Sequence, residues 1–371
     1  MSIFVSCGEP SGDIYAGKII GEILRKDSRI RIEGMLGPQG ALAGGFARWD
    51  ISELGLLGIS EVLSSIPRLL RLRAKMVRFI LREGFPLLVL IDSPDFHLPL
   101  LRSLKANGFK GKIVYVAPPT VWAWRPGRTR ELAENTDLCL PLFSFEDDFL
   151  KSKGVNSRWL GHPFLDEPPS SKVSRELHQK FSGSRVAGLL PGSRRSEIKN
   201  LLPLFFDLAV ELEQQGFQPV FSVAPGLSED VRKFLLAGIG KFPYYEGPGR
   251  ELISISSVTA AASGTVAVES MMLDRFMVVS YRGSLASYLA YRFFVKTSYI
   301  SIPNILAGRE VYPELLQKDV TVRNILTSLI RYRDDQDYRK AIHKLLAEGR
   351  SSMGRAGVIA FWASTIREML N

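Results

Sequence analysis

The chain has 371 residues, 46% hydrophobic and 23% charged, the balance of a soluble globular protein with more chain than one core needs. Its net charge of +10 calls for an anionic partner, and the absence of any RNP aromatic set or zinc-finger spacing makes that partner a phosphorylated substrate or anionic lipid rather than nucleic acid. No segment reaches the roughly 18–20 apolar residues of a membrane span, and the four histidines and two cysteines have no metal-ligand spacing.

The first residues, Met1-Ser-Ile-Phe-Val-Ser-Cys-Gly8, lack a basic start and a long apolar stretch, so they read as a first strand over 3–7 and not a signal peptide. Cys7 and Cys139 both sit in strand-like apolar contexts, as buried, reduced thiols of a cytosolic protein do. The turn Gly8-Glu-Pro-Ser-Gly-Asp13 follows. Its extension to Gly17-Lys18 nearly spells a P-loop, but Ile19 stands where a magnesium-binding Ser or Thr is required. The turn is read instead as a place where an acceptor meets the backbone, with Glu9, Ser11, Gly12 and Asp13 on the acceptor side.

Residues 67–82 form a predicted helix opened by Pro67. Leu69, Leu70, Leu72, Met76, Val77, Phe79, Ile80 and Leu81 cover a wide apolar arc, edged by Arg68, Arg71, Lys75, Arg78 and Arg82. Two readings fit: a surface helix packed on a sheet, or a helix lying on an anionic membrane surface. The second is preferred because the arc is wider than a core contact needs.

The strand over 86–91 runs into Ile91-Asp-Ser-Pro-Asp-Phe96, at a strand end where α/β proteins collect active-site residues. Asp92 is the candidate general base, and Asp95 is expected chiefly to cap the next turn. The strand over 112–116 leads to Tyr115-Val-Ala-Pro-Pro-Thr-Val-Trp-Ala-Trp-Arg125. This stiff loop is either a structural plug or a substrate wall presenting Trp122 and Trp124.

The Pro- and Ser-rich stretch 161–171 is the predicted boundary between a first domain over 1–168, which holds the acceptor turn and the basic amphipathic helix, and a second over 169–344. A last helix within 345–371, over 356–370, packs on its own first domain or on a partner's, which leaves a homodimer through C-terminal helices open. Further strands are predicted over 186–190, 219–223 and 276–281. Short, continuously apolar strands alternating with helices give an α/β fold: two Rossmann-like domains with parallel sheets facing a central cleft.

Two loops stand out in the second half, Leu190-Pro-Gly-Ser-Arg-Arg-Ser-Glu197 and Ser263-Gly-Thr-Val-Ala-Val-Glu269. Each follows an apolar segment and opens a helix through small residues, where unpaired backbone N–H groups and the helix dipole attract anions. One such loop is commonly just a capped helix. Two in one half favour a nucleotide-diphosphate pocket, with Gly264 admitting a phosphate, Thr265 donating a hydroxyl and Glu269 accepting from ribose hydroxyls. Asp335-Gln-Asp337 matches a metal-binding DxD pattern, but in a polar helical context it reads as a solvated face, so no metal site is expected.

Taken in order, these motifs resemble the lipid-A-disaccharide synthase family, inverting glycosyltransferases of the GT-B architecture. The resemblance runs through Gly8-Glu-Pro-Ser-Gly-Asp13, Gly58-Ile-Ser-Glu-Val62, Ile91 to Phe96, Val121-Trp-Ala-Trp124, Gly161-His162 and Leu190 to Arg194. It continues through Ala262-Ser-Gly-Thr265, Met277-Val-Val-Ser-Tyr-Arg282 and Ser301-Ile-Pro-Asn-Ile-Leu-Ala-Gly-Arg-Glu310. It implies transfer of a sugar from UDP-2,3-diacylglucosamine to 2,3-diacylglucosamine 1-phosphate (lipid X), giving UDP and a β-1,6 disaccharide, with no cofactor. It also implies a protein peripheral to the inner face of the inner membrane. Asp92 and Arg194 fall on the family's essential acid and arginine. Ser193, Ser263, Gly264, Thr265, Glu269, Tyr281, Arg282, Asn304 and Glu310 fall on the UDP-sugar side. Pro10, His97 and Pro118-Pro119-Thr120 depart from the commoner pattern. A sugar-nucleotide 2-epimerase would not need the basic amphipathic helix, and a non-catalytic membrane scaffold would not need paired phosphate loops.

Overall fold

The computed structural model describes residues 1–54, 59–122, 127–181, 184–283 and 298–370, with the backbone alone over 59–65. Its strands are β1 (Ser2–Cys7), β2 (Arg31–Leu36), β3 (Phe46–Asp50), β4 (Leu87–Ile91), β5 (Lys112–Val116) and β6 (Leu138–Leu140), then β7 (Arg185–Leu190), β8 (Phe217–Val223), β9 (Tyr244–Glu246), β10 (Val258–Ala262), β11 (Met277–Tyr281) and β12 (Glu314–Leu316). They form two six-stranded sheets, ordered β3-β2-β1-β4-β5-β6 and β9-β8-β7-β10-β11-β12, and every pairing is parallel. The two orders are the same. Parallel sheets need cover on both faces, and every residue of β4 is buried accordingly.

The chain divides into two compact units, Met1–Asp166 with Met353–Asn371, and Glu167–Ser352. The first break falls two residues before the predicted 168/169. The second falls at 352/353 instead of 344/345, because the Gln336–Ser351 helix runs unbroken through that point and stays with the second unit.

The C-terminal helix, Val358–Glu368, lies in the first unit's own core. Trp362 is fully buried and meets Tyr15 edge-on at 5.7 Å. The Asp166 carboxylate accepts from the N–H groups of Gly357, Val358 and Ile359 at 2.6, 3.2 and 2.8 Å. One boundary residue thus supplies the cap for a helix that begins almost two hundred residues later. Since the helix spends its apolar face on its own chain, a dimer through these helices would require their exchange between chains.

The predicted helix over 67–82 is longer, Ile59–Glu83, and Pro67 lies inside it rather than at its start. Pro67 is exposed, where water can satisfy the carbonyl that the missing N–H leaves unpaired. Leu72, Met76, Val77, Phe79 and Ile80 are buried in one core with Phe4 and Phe85. Phe79 alone meets Trp49 at 5.4 Å and Phe85 at 5.8 Å, under the Arg48 guanidinium at 4.3 Å. The membrane reading of these side chains is therefore corrected: most of the arc is core. Ile66 and Leu70 stay exposed, at 42% and 46%.

Candidate active site

In an open parallel sheet the strand order reverses at one point, and ligands bind beyond the carboxyl ends of the strands there. The reversal lies between β1 and β4 in the first unit and between β7 and β10 in the second. Those four strands carry the four loops that the sequence singles out: Gly8–Asp13, Asp92–Phe96, 190–197 and 263–269.

In the first unit, the loops after β1 and β4 touch. A Cβ on Gly8 would press into the Ser93 and Leu54 side chains, so a larger residue there would force them to move. Glu9 and Ser11 are exposed at the start of the Pro10–Lys26 helix. Gly12 is buried against Cys7 and Ile91. Asp13 does not face an acceptor: it is 2% exposed, and its carboxylate accepts from Gly37, Gln39 and Gly40 N–H at 2.8, 2.8 and 3.0 Å. It closes the turn after β2.

Asp92 is half-buried just beyond β4, with φ +54°, and Ser93 follows at +48°. A non-glycine residue in this region costs about 1–3 kcal/mol, and such strain collects at functional sites. Asp95 is exposed in the first turn of the Pro94–Ala106 helix and ion-paired with Arg128. Trp122 is held by its indole N–H, which donates to Glu146 Oε1 at 2.9 Å, and its ring meets Phe145 at 4.8 Å. That contact favours the plug over the wall for Trp122. Glu146 also accepts from Leu142 and Phe143 N–H, yet burial pushes its carboxyl up to about 7. Trp124 and Gly58 lie outside the described residues.

In the second unit, both phosphate-type loops line one cleft of about 180 Å³. Leu190, Gly192, Ser193 and Arg194 come from one, and Ser263, Gly264 and Thr265 from the other, with Ser222, Ala224 and Gly249 between. Gly192 has φ +116°, a conformation open to glycine. Glu197 accepts from Ser193 N–H, Arg194 N–H and Arg194 Nη1, each at 3.2 Å. The loop's leading amides are thus capped by its own carboxylate, because Glu197 stands three residues after the N-cap Arg194 and reaches back to it. The Arg194 side chain stays 71% exposed. The Val266–Met272 helix has only seven residues, so its dipole is short and the donors at that loop are individual groups, among them the Thr265 hydroxyl. A Cβ on Gly264 would meet nothing within 4 Å, so the protein's own packing does not require glycine there.

Glu269 sits behind the cleft, its Oε2 3.9 Å from where a Cβ on Gly249 would be. Burial raises its carboxyl to about 7; Arg250 opposes the shift and Glu251 adds to it. Tyr281 ends β11, Arg282 follows it, and neither is in the cleft lining; the Arg282 carbonyl accepts from Asn200 Nδ2 at 2.8 Å. Asn304 is fully buried and its amide is spent internally. Oδ1 accepts from Val311 and Tyr312 N–H at 2.8 and 2.9 Å, and Nδ2 donates to the Tyr312 carbonyl and Glu314 Oε1, both at 2.8 Å. It shapes the 300–314 segment rather than contacting a ligand. Glu310 is exposed, and partial desolvation and the neighbouring Glu314 push its carboxyl up, against Arg331.

Asp335 caps the Gln336–Ser351 helix by accepting from Tyr338 N–H at 2.8 Å, and Asp337 pairs with Lys340. The DxD pattern is helix-start chemistry.

Comparison with known proteins fits this geometry. Residues 3–356 match the family described as lipid-A-disaccharide synthetase. A lipid-A-disaccharide synthase of Myxococcus xanthus is 33% identical over 374 residues, covering 99% of this chain and 97% of its own. Among solved structures, a UDP-GlcNAc 2-epimerase from Neisseria meningitidis bound to UDP-GlcNAc superposes with a TM-score of 0.67 at 13% identity, covering 99% of this chain and 100% of its own. A ugt transferase from Siraitia grosvenorii in complex with UDP gives 0.59 at 14% identity, covering 100% and 99%. At such identities the structural likeness speaks for the two-sheet α/β fold alone, the fold of GT-B glycosyltransferases and of these epimerases. The full-length sequence match carries the rest: the chain belongs to the lipid-A-disaccharide synthetase family and is a glycosyltransferase of lipid A biosynthesis.

Proposed function

We propose that the chain transfers 2,3-diacylglucosamine from UDP-2,3-diacylglucosamine to the 6-hydroxyl of 2,3-diacylglucosamine 1-phosphate (lipid X), forming the β-1,6 disaccharide 1-phosphate and UDP with inversion. The observation that carries this reading is the convergence of loops 190–197 and 263–269 on one cleft. In the proposed step Asp92 takes the acceptor hydroxyl proton as that oxygen bonds to the anomeric carbon. The carbon–oxygen bond to the diphosphate breaks, and UDP leaves with the electron pair. Arg194 and the Ser193, Ser263 and Thr265 donors meet the charge that grows on the leaving group. Glu269 is assigned to the ribose. Tyr281, Arg282 and Glu310 keep a supporting place on the donor side, and Glu9, Ser11 and Asp95 on the acceptor side.

For the lipid acceptor we place the protein on an anionic membrane surface, on the cytoplasmic face of the inner membrane. Exposed Ile66 and Leu70 beside exposed Arg68, Arg71, Lys75 and Arg78 support this. No helix among the described residues is long and apolar enough to cross a membrane.

The test is UDP release from UDP-2,3-diacylglucosamine with and without lipid X, in buffer containing EDTA. Acceptor-dependent release with a β-linked product is expected. Conversion of the nucleotide sugar without acceptor is the epimerase outcome, and no turnover is the scaffold outcome.

A further inference from the structure

Asp92 and Ser93 are consecutive left-handed residues, and Ala117, at the end of the adjacent β5, is a third at φ +48°. Something must hold this strand end in place. The Asp92 N–H donates to the Val116 carbonyl at 3.1 Å, which leaves the peptide after Asp92 to be fixed from its carbonyl side. That carbonyl accepts two hydrogen bonds, from His97 Nδ1 at 2.7 Å and from the Tyr115 hydroxyl at 2.8 Å. A carbonyl can only accept, so Nδ1 carries the ring proton. Nε2 then accepts from Ser6 Oγ at 2.9 Å, and this locks the tautomer. Ser6, His97 and Tyr115 are each fully buried, on β1, on the Pro94–Ala106 helix and on β5. Burial also holds the His97 ring neutral, at about 4, so it remains a single-proton donor across the working range. A buried chain with all its donors and acceptors matched is stiff, and it specifies one arrangement.

We propose that His97 and Tyr115 are positioning residues for sugar transfer: together they clamp the Asp92 carbonyl, fix the left-handed turn of the backbone there and so aim the Asp92 carboxylate at the acceptor hydroxyl. This rests on the assignment of Asp92 as the base. Neither side chain need touch a substrate. The effect passes through one peptide group, and a misplacement on the order of 1 Å can cost about a hundredfold in rate.

Steady-state kinetics of Tyr115→Phe, His97→Gln, His97→Asn, Asp92→Asn and the double variant Asp92→Asn/Tyr115→Phe test it. Tyr115→Phe removes one hydroxyl from an otherwise unchanged ring. His97→Gln places its amide near Nε2 and loses the donor to Asp92, whereas His97→Asn places its amide nitrogen near Nδ1 and keeps it. The expected result is a kcat about tenfold lower in Tyr115→Phe and His97→Gln, with KM for the nucleotide sugar and UDP affinity unchanged, and His97→Asn within about threefold of the parent. In the Asp92→Asn background Tyr115→Phe should cost nothing more. The proposal is overturned if Tyr115→Phe keeps its kcat within about twofold, or if its loss multiplies with that of Asp92→Asn. It is equally overturned if His97→Asn falls as far as His97→Gln. Melting temperatures identify a His97 variant that does not fold, and Tyr115→Phe then decides. Parent-level kcat in Asp92→Asn is a separate result that removes the base assignment itself.

Discussion

The two units have the same strand order, yet they furnish their switch points in opposite ways. The second surrounds its point with small residues and a cleft, and although Glu197 takes the leading amides of loop 190–197, the Arg194 side chain stays largely exposed. The first surrounds its point with buried polar contacts and a strained backbone, where the Asp13 carboxylate, the His97 ring, the Tyr115 hydroxyl and the Asp92 carbonyl serve the chain itself. Topology fixes where a site can be, and the local chemistry decides whether that place holds a ligand or aims a reactive group.

The sharpest break in the comparison is Asp92→Asn. Turnover should fall about 10²–10⁴-fold while calorimetric UDP affinity stays at the parent value, since the amide cannot take a proton. A parallel loss of UDP binding would mean the division of labour between the units is wrong. Next comes the core of the first unit. Phe79→Ala should destabilise it by about 3–5 kcal/mol in denaturant melts, because the ring is enclosed by Phe4, Trp49 and Phe85. Ile66→Ser with Leu70→Ser should leave the melt almost unchanged and reduce co-sedimentation with anionic vesicles. Equal melting losses in both variants would remove the surface role of the exposed pair.

In the second unit, Arg194→Ala should weaken UDP binding and slow transfer, each by about 10- to 100-fold, the size of a charge-assisted contact that strengthens as the bond breaks. Unchanged UDP affinity with normal rates would leave Arg194 as only the partner of Glu197.

The smallest effect concerns two carboxyls, the buried Glu146 of the first unit and the half-buried Glu269 of the second. Glu146 and Glu269 both rise from the ordinary 4.5 to about 7 through burial. The folded chain therefore binds these protons more tightly than the unfolded one. Each contribution lowers stability as pH climbs from about 4.5 to about 7 and is constant above. Either Glu→Gln change should flatten that slope. UDP binding should separate them: a ribose-accepting Glu269 works best ionised, so the pH 6 to pH 8 gain in affinity should shrink in Glu269→Gln and persist in Glu146→Gln.

The strands β1, β4, β5, β7, β8 and β11 were legible because each is a short apolar run buried on both faces. β2 was not, since Arg31, Glu33 and Gly34 interrupt the pattern; Glu33 is buried only because Arg31 and Arg48 reach it. β3 lies at a sheet edge and is mostly exposed, so it carries no burial signal. The wide arc of the Ile59–Glu83 helix misled for a related reason. Apolar periodicity measures how much of a helix avoids water, and it cannot say whether protein or lipid does the covering.

Sequence by itself determined the α/β class, the four strand-end loops and the residue types gathered there, because these depend on local alternation of burial and on small residues following strands. The tertiary structure decided what each polar side chain there is for. Asp13 answers to backbone groups 24 to 27 residues away, Asn304 to a turn that closes on it, Trp122 to Glu146, and the Asp92 carbonyl to Tyr115 from the neighbouring strand. A carboxylate or amide can accept from a ligand or from its own chain equally well. Only the positions of donors brought near by folding settle which it does.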